Sequence, residues 1–345
     1  MIRRYNALAM SQEEPGPVHA PEFPSNVTWL QGGPLKLSDL RGRPMLLDFW
    51  DYTCLNCLRT LPYVKEWHRR YHSLGLTVVG VHAPEFSFAR EYNNVLRAVR
   101  EHGIEYPVVL DNDYAIWQAY ANRYWPAKYL IDGNGYLRGY HHGEGAYRET
   151  EDALQALLRE SFPQILLPGL MDPVRDEDRH GAVCYRVTPE IYCGYARGAY
   201  GNVKDMQFDK PSTYADPGMH TDGFLYLNGD WLLAGEYLAR PAGASGESRL
   251  TLPYMSKDVN LVIHPPTYGG AATIALSQDG APLSAADAGP DVTAADHTSI
   301  LTVDAPRMYG LVANRDIGRH ELTLTTTSSG VALYAFTFTS CLMPE

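Results

Sequence analysis

The chain has 345 residues, of which 45% are hydrophobic and 20% are charged, and its formal net charge is -11 at pH 7. This length exceeds what one hydrophobic core usually organises, so two domains are expected. The acidic balance argues against nucleic acid or an anionic membrane surface as the main partner, because both are bound through clustered lysine and arginine.

The N-terminal region predicts no folded element before about residue 23. Residues 1–10 include two arginines but lack the run of about seven apolar residues that forms the core of a signal peptide. No segment is long and apolar enough to span a bilayer. Residues 11–25 are rich in Glu, Pro and Ser, so residues 1–22 are predicted to be a flexible segment.

Two cysteines, Cys54 and Cys57, stand between a predicted buried strand at residues 45–50 and an amphipathic helical pattern that starts at Leu58. This order of strand, CxxC and helix is typical of a thiol-disulfide redox centre. A thiolate at a helix N-terminus faces unpaired backbone N–H groups and the positive end of the helix dipole, which favour its charge. We therefore predict that Cys54 is the nucleophile and that Cys57 resolves the intermediate.

A zinc site is the alternative use of a CxxC pair, and it needs two further Cys or His ligands at short spacing. His68 and His72 share a helical face, but they lie about three turns beyond Cys57, too far to complete a tetrahedron. The sequence therefore predicts no metal and no cofactor other than the redox-active disulfide of Cys54 and Cys57.

Residues 23–162 alternate short apolar strands with helical stretches, which predicts an α/β domain. After the CxxC helix, strands are predicted at 77–81, 106–110, 128–131 and 136–142, and helices at 88–101, 115–121 and 147–159. Glu85 follows the strand at 77–81, on the sheet edge where ligands normally bind, so it is a candidate proton carrier. A solvated carboxylate near a helix start is the alternative interpretation.

Residues 163–180 form a proline-bearing segment of mixed charge that is predicted to be a linker. From 181 to 345 the pattern changes to short alternating strands, which predicts an all-β domain, either a β-sandwich or a jelly roll. Most of its tyrosines are expected in the core, with a sugar-binding aromatic surface as the alternative. Cys184 and Cys193 form a hairpin disulfide or stay as buried thiols, and Cys341 has no assigned partner.

Residues 49–62, Phe-Trp-Asp-Tyr-Thr-Cys-Leu-Asn-Cys-Leu-Arg-Thr-Leu-Pro, resemble the active-site segment of the DipZ-type redoxins, relatives of TlpA-like membrane-tethered thioredoxins. Segments 79–86, 125–132, 188–192, 235–237 and 258–262 support the resemblance. It implies a thioredoxin fold followed by a carbohydrate-binding-module-like domain, and it matches Pro126 to the proline whose peptide bond is cis in thioredoxin folds. The implied substrate groove contains Trp50, Thr53 and Trp125.

The resemblance implies a thiol:disulfide oxidoreductase that acts on protein disulfides, with an accessory β module that binds a glycan or a partner protein. Thr60 departs from the pattern, because cytochrome-maturation thioredoxins commonly carry a glutamate at this position. The electron donor is left open, with a membrane thiol reductant as one candidate. The resemblance favours an extracytoplasmic location, and a cytoplasmic one is the alternative because no signal peptide or membrane span is visible.

Two other functions are weighed against the oxidoreductase. A thiol peroxidase of the peroxiredoxin type also needs a reactive thiolate, but residues 47–54 lack the proline that usually precedes the peroxidatic cysteine. A non-enzymatic binding or scaffold protein, in which the β module carries the function, is the second alternative.

Overall fold

The computed structural model describes residues 17–202, 206–339 and 341–342. Contacts between Cα atoms divide the chain into two compact units, residues 1–180 and residues 181–345. The first unit combines helices with strands, and the regular structure described in the second unit consists of strands alone.

The first unit is an α/β unit built on one six-stranded sheet. Its strands are β1 (Thr28–Gln31), β2 (Met45–Trp50), β3 (Thr77–His82), β4 (Val108–Leu110), β5 (Ala127–Ile131) and β6 (Leu137–His142). Its α-helices are α1 (Leu55–Tyr71), α2 (Tyr92–Glu101), α3 (Ala115–Ala119) and α4 (Tyr147–Ser161). The strand order is β1-β4-β3-β2-β5-β6, with β2, β3 and β4 parallel and the other pairs antiparallel. The predicted thioredoxin fold is confirmed for this unit.

Strand β2 and helix α1 position the cysteine motif. All six residues of β2 are buried, as expected for an inner strand covered on both faces. The side chains that α1 buries recur at three- and four-residue spacing, so one face of the helix packs inward. The apolar ones are Cys57, Leu61, Tyr63, Val64, Trp67 and Tyr71.

Two features of the first unit differ from the sequence prediction. Strand β1 was not predicted, and it pairs antiparallel with β4 at the edge of the sheet. The helix predicted at 88–101 is divided into a 3-10 turn, Ser87–Arg90, and α2. The cause is Glu91, whose extended backbone (ψ 119°) interrupts the helical conformation between the two.

Two segments predicted to lie outside the folded domain are bonded to it. Residues 18–20 pair with the hairpin that joins β5 to β6, through hydrogen bonds to residues 135 and 137. Residues 1–16, the rest of the predicted flexible segment, lie outside the described residues. The predicted linker 163–180 also packs on the first unit, since Met171 N donates to Glu151 Oε2 at 2.9 Å and Val174 N donates to the Tyr63 hydroxyl at 3.0 Å.

The second unit contains thirteen strands among the residues that the structure describes. They are β7 (Val183–Cys184), β8 (Ile191–Tyr192), β9 (Pro211–Tyr214), β10 (Tyr226–Leu233), β11 (Leu238–Ala239), β12 (Ser248–His264), β13 (Ala272–Gln278), β14 (Ala281–Pro282), β15 (Val292–Ala295), β16 (Thr298–Val303), β17 (Arg307–Thr326), β18 (Ala332–Phe338) and β19 (Cys341–Leu342). Eleven of them form one sheet, and β7 and β19 pair separately.

Two long antiparallel strands, β12 with 17 residues and β17 with 20, form the centre of this sheet. The first part of β12 also pairs with β10, and its last part pairs with β18. Leucine, valine and isoleucine side chains pack around Trp231, Tyr254 and Tyr309 to form the core. The prediction of a strand-rich second region is confirmed, and the jelly-roll label stays a prediction.

The cysteines of the second unit correct one sequence expectation. Cys184 is bonded to Cys341, across the paired strands β7 and β19. The hairpin disulfide between Cys184 and Cys193 is therefore wrong, and Cys193 is a free, buried thiol. Burial raises the pKa of the Cys193 thiol, because a thiolate would be desolvated there.

Candidate active site

The cysteines of the CxxC motif lie at the N-terminus of α1, a few residues after β2. Cys54 is the N-cap residue, and its sulfur accepts a hydrogen bond from the backbone N–H of Cys57 at 3.2 Å. The two sulfurs form a disulfide, with Cα atoms 5.2 Å apart. Cys54 is half-buried, whereas Cys57 is only 1% exposed. A disulfide in solution therefore has access to Cys54 rather than to Cys57.

The start of α1 favours a negative charge on Cys54. The first turn contains no acidic side chain. Its free N–H groups and the helix dipole attract a thiolate, and the hydrogen bond from Cys57 N is one such contact. The predicted placement of a CxxC pair at a helix N-terminus is therefore confirmed.

A buried aspartate and a buried lysine face each other on the strands that lead to this site. Asp48 in β2 is paired in register with Lys128 in β5, and each is 1% exposed. Lys128 Nζ donates to the carbonyl oxygens of Gly145 at 3.3 Å and Gly143 at 3.5 Å. Asp48 Oδ1 is buried and has no hydrogen-bond partner among the described residues. Two ionisable side chains are therefore desolvated side by side on neighbouring strands.

Burial dominates the protonation of this pair. It raises the pKa of Asp48, an effect that the charge of Lys128 partly offsets. It lowers the pKa of Lys128, while the charges of Asp48 and Glu144 act in the opposite direction. A carboxyl group with a raised pKa can take up and release a proton close to neutral pH. Neither residue was predicted from the sequence to be functional, although a charged side chain inside an apolar strand was the available signal.

A second buried aspartate, Asp51, organises the loop between β2 and α1. Its Oδ1 accepts hydrogen bonds from Thr53 N at 2.8 Å and from the Thr53 hydroxyl at 2.9 Å. Its Oδ2 accepts one from Glu85 N at 2.5 Å. The Nε2 atom of His82 lies 3.7 Å from Asp51 Oδ1, at ion-pair distance. Burial acts to raise the pKa of Asp51, but the interactions with His82, Glu85 N and Thr53 N lower it overall.

The Trp125-Pro126 peptide bond is cis, as the resemblance predicted. The indole N–H of Trp125 donates to the carbonyl of Ala83 at 2.9 Å, and its ring lies 4.3 Å from that of Trp117. Trp125 is partly exposed and Pro126 is buried. The loop after β3, which contains Ala83 and Glu85, therefore contacts both the CxxC loop and the cis-proline loop.

Two residues predicted for the substrate groove do not present their side chains to solvent. Trp50 is fully buried, with its ring edge-on to His82 at 5.3 Å, so its assignment to the groove is wrong. Its position explains the error, because it is the last residue of β2 and β2 is buried on both faces. Thr53 is 2% exposed, and its hydroxyl is bonded to Asp51. Its side chain supports the loop and is closed off from solvent.

Glu85 and Thr60 complete the set of residues singled out by sequence. Glu85 is partly exposed, and its backbone N–H is bonded to Asp51. Thr60 is buried in α1, where its hydroxyl donates to Asn56 O at 2.9 Å and lies 3.3 Å from the Tyr147 hydroxyl. Thr60 therefore offers no acidic group here. Asp48, in β2, and Asp51, in the loop that follows β2, are buried carboxylates that precede the CxxC motif in the chain.

No three His, Cys, Asp or Glu side chains within the described ranges are arranged to hold a metal ion. In the same ranges, no helix has the length and apolar character that a membrane crossing requires.

Comparison with known proteins divides the chain as the structure does. Residues 18–140 match the AhpC/TSA family. Residues 188–339 match the family described as "Thioredoxin like C-terminal domain".

The chain is 36% identical to the protein DipZ of Mycobacterium tuberculosis over 284 residues, which cover 79% of this chain and 38% of DipZ. It therefore spans little more than a third of the DipZ length. It is 30% identical to the thiol-disulfide oxidoreductase YkuV of Bacillus subtilis over 141 residues, which cover 41% of this chain and 95% of YkuV. The thiol-disulfide oxidoreductase ResA of Bacillus thuringiensis is also 30% identical, over 42% of this chain and 77% of ResA. With a CxxC pair at the N-terminus of α1, the chain belongs to the thioredoxin-fold thiol-disulfide oxidoreductases.

Proposed function

We propose that this enzyme exchanges disulfides with protein substrates, with Cys54 as the attacking and Cys57 as the resolving cysteine. The observation that carries the proposal is the unequal exposure of the pair, since Cys54 is half-buried and Cys57 is 1% exposed. A macromolecular disulfide can approach only an exposed sulfur. The buried cysteine is left to attack from within the protein, once the mixed disulfide has formed.

The reductive reaction starts from the dithiol form. The Cys54 thiolate attacks one sulfur of the substrate disulfide, which forms a mixed disulfide and releases the first substrate thiolate. Cys57 then loses its proton and attacks the Cys54 sulfur, which releases the second substrate thiolate. Two electrons have moved to the substrate, and Cys54 and Cys57 are left as the disulfide. The same steps in reverse oxidise a substrate dithiol.

Asp48 is our proposed acceptor of the Cys57 proton. It lies in the strand that leads to the motif, it is buried, and burial raises its pKa. A general base works best when its pKa lies near the operating pH. Glu85 stays a predicted alternative, and replacing each carboxylate in turn by its amide distinguishes the two.

We further propose that an extended substrate segment contacts the backbone of Trp125 at the cis-proline loop. The partial exposure of Trp125 and the anchoring of its indole on Ala83 O support this placement. An edge that is fixed by side-chain bonds presents its free backbone groups in one orientation. Such an edge suits recognition by main-chain hydrogen bonds.

The second unit is proposed to be an accessory module that binds a glycan or a partner protein. An exposed aromatic pair supports a glycan, because the rings of Tyr195 and Phe208 lie 4.7 Å apart and are 38% and 53% exposed. The Tyr195 hydroxyl donates to Asp209 Oδ2 at 2.9 Å. Aromatic faces next to a carboxylate suit the apolar and hydroxylated surfaces of a sugar.

An extracytoplasmic location is proposed from the Cys184–Cys341 disulfide. Structural disulfides persist in oxidising compartments and are rare in the cytosol. In that setting the electron donor is proposed to be a membrane thiol reductant. The midpoint potential of the Cys54/Cys57 couple assigns the direction of transfer, with about -270 mV typical of a reductant and about -120 mV of an oxidant.

Thiol peroxidase activity is a second candidate, and the match of residues 18–140 to the AhpC/TSA family favours it. The two candidates differ in what Cys54 attacks. A peroxidase oxidises Cys54 to a sulfenic acid with hydrogen peroxide, and it does so at a rate far above that of a free thiol.

The test uses the full chain in its reduced form with insulin as the protein disulfide. Cys54→Ser is expected to abolish reduction of insulin. Cys57→Ser is expected to accumulate a mixed disulfide through Cys54, detected as a mass increase, and Cys193→Ala serves as the matched control that retains activity. Rapid consumption of hydrogen peroxide without insulin reduction would instead assign the peroxidase.

A further inference from the structure

Residues 82–85, the end of β3 and the start of the following loop, connect the two loops that flank Cys54. On one side, Glu85 N donates to Asp51 Oδ2 in the loop that leads to Cys54. On the other side, Ala83 O accepts the indole N–H of Trp125 at 2.9 Å. We name residues 82–85 the β3 bridge. The relative position of the cysteine loop and the cis-proline loop depends on this bridge, because each loop is bonded to it.

Asp51 is the member of the cysteine loop that holds the β3 bridge. It is fully buried, and its two oxygens accept three hydrogen bonds, two from Thr53 and one from Glu85 N. A carboxylate is an acceptor at both oxygens, whereas an amide of the same shape turns one acceptor into a donor. An asparagine at this position therefore leaves at least one buried N–H or O–H facing another donor, which is costly.

His82 is the side chain of β3 whose ring lies next to the Asp51 carboxylate. It is fully buried, and its Nε2 lies 3.7 Å from Asp51 Oδ1. Its ring is fixed by two aromatic neighbours, edge-on to Trp50 at 5.3 Å and stacked on Tyr52 at 5.6 Å. Buried charges in proteins are normally paired, because an isolated one is expensive to desolvate. Asp51 lies three residues before Cys54 and His82 is the last residue of β3, so the two side chains can fix the position of the cysteine loop relative to the β3 bridge.

We propose that Asp51 and His82 are a positioning pair that fixes Cys54 relative to the Trp125-Pro126 edge, and that this spacing makes the site selective for extended disulfide-bonded chains over small disulfides. The inference rests on the proposed function, since it assumes a peptide substrate that contacts both loops. A small disulfide needs only the Cys54 sulfur, so a shift of one loop leaves its reaction nearly unchanged. An extended chain must meet the sulfur and the edge together, and small misplacements then cost rate steeply.

The experiment compares Asp51→Asn with the wild type in the full chain, using two substrates. One is a disulfide-bonded peptide with several residues on each side of the cystine, and the other is dithiobis(nitrobenzoate), a small aromatic disulfide. For the peptide, kcat/KM is expected to fall about tenfold, mainly through KM. For the small reagent, the change is expected to stay below about twofold, because Cys54 keeps its place at the helix N-terminus.

Thr53→Val is the second variant, because it removes only the hydroxyl bond to Asp51 and keeps the shape of the side chain. Its kcat/KM is expected to fall about twofold to threefold for the peptide and to stay unchanged for the small reagent, since one of the three hydrogen bonds to the carboxylate is missing. Asp132→Asn is the matched control, because Asp132 Oδ1 also accepts two backbone N–H bonds, from Asn134 and Tyr136, but in the β5–β6 turn.

Equal losses with the two substrates, or no loss with either, would overturn the positioning pair. A wild-type enzyme that turns over the small reagent but not the peptide would instead sink the proposed function, and the selectivity with it. A wild type that reduces both, with variants that keep its ratio of rates, leaves the proposed function intact and removes the inference alone.

Discussion

The two units contain one disulfide each, in contrasting surroundings. The Cys54–Cys57 bond closes a loop of three residues at the start of a long helix. The Cys184–Cys341 bond joins residues 157 positions apart, through two strands of two residues each that lie outside the main sheet. Cys184 is exposed. The first bond lies where a thiolate is stabilised, whereas the second links distant parts of the chain.

Buried charge separates the units in the same way. Among the described residues, the buried aspartate, glutamate, lysine and histidine side chains all lie in the first unit. They are Asp48, Asp51, His82, Asp111, Lys128, His141 and Glu151. In the described part of the second unit, the buried charged side chain is Arg240. Burying a charge is expensive, so the concentration of such groups in one of the two units indicates where the chemistry lies.

The largest effect is expected from removing the disulfide of the second unit. The double variant Cys184→Ser with Cys341→Ser should lower the free energy of unfolding of the second unit by about 4 kcal/mol, because the bond closes a long loop in the unfolded chain. Urea unfolding of the full chain, followed by near-ultraviolet circular dichroism, measures the loss. Insulin reduction should stay at the wild-type rate at temperatures where the variant is folded.

The loss of stability should be specific to the removal of this disulfide. The single variant Cys193→Ala, which removes the free thiol of the same unit and keeps both disulfides, is the control for the general effect of removing a cysteine. A large fall in insulin reduction by the folded double variant would contradict the division of roles, because it would give the second disulfide a part in turnover.

A loss of about 100-fold is expected in the resolving step of Asp48→Asn. The asparagine keeps the shape of the side chain but cannot accept the Cys57 proton, so the mixed disulfide should persist. Rapid quenching after mixing reduced enzyme with insulin, followed by mass spectrometry, measures its decay. In the wild type, the decay should speed up as the pH rises through the raised pKa of Asp48, and in the variant this dependence should be lost.

Glu85→Gln is the comparison for this experiment, because Glu85 is the carboxylate that the sequence favoured. Its side chain is partly exposed, and its backbone N–H bond to Asp51 does not depend on the carboxylate. The decay of the mixed disulfide should change less than about twofold. If Glu85→Gln were the slow variant and Asp48→Asn the fast one, the proton carrier would be Glu85.

The elements around the motif were predictable because their signals are local. The apolar run of β2, the N-cap position of Cys54 and the glycine that ends the helix segment, Gly75 with φ 106°, are each visible within a few residues of sequence. The cis bond before Pro126 followed from the resemblance. The CxxC pair and the fold around it were therefore predictable from the sequence.

The missed features depend on contacts between residues far apart in the chain. Asp48 comes next to Lys128 only when β5 pairs with β2. Asp51 comes next to His82 only when β3 pairs with β2. Cys184 meets Cys341 through the pairing of β7 with β19. Periodicity within one segment carries no information about such partners. Trp50 was misplaced for the same reason, since its burial depends on the layers that cover β2.

The smallest effect concerns His220, an ion-paired histidine of the second unit. Its two ring nitrogens lie 2.7 Å from Asp216 Oδ1 and 2.6 Å from Glu321 Oε2. Burial acts to lower the pKa of His220, but the hydrogen bonds and charges of the two carboxylates raise it overall. Its stabilising effect is therefore fully present below the unfolded pKa of about 6.5 and is lost as the pH rises through the folded pKa.

His220→Gln should thus lower the free energy of unfolding by about 1 kcal/mol at acidic pH, since the partners are partly solvated. The difference from wild type should shrink towards zero in alkaline buffer. Urea unfolding at both pH values measures it, with the exposed His297→Gln as the control that shows no such change. If the stability difference between wild type and His220→Gln grew with pH, the contacts with Asp216 and Glu321 would be stabilising the neutral ring instead. This partly exposed ion pair of the second unit is therefore expected to affect stability, in contrast to the buried carboxylates that are proposed to act in the first unit.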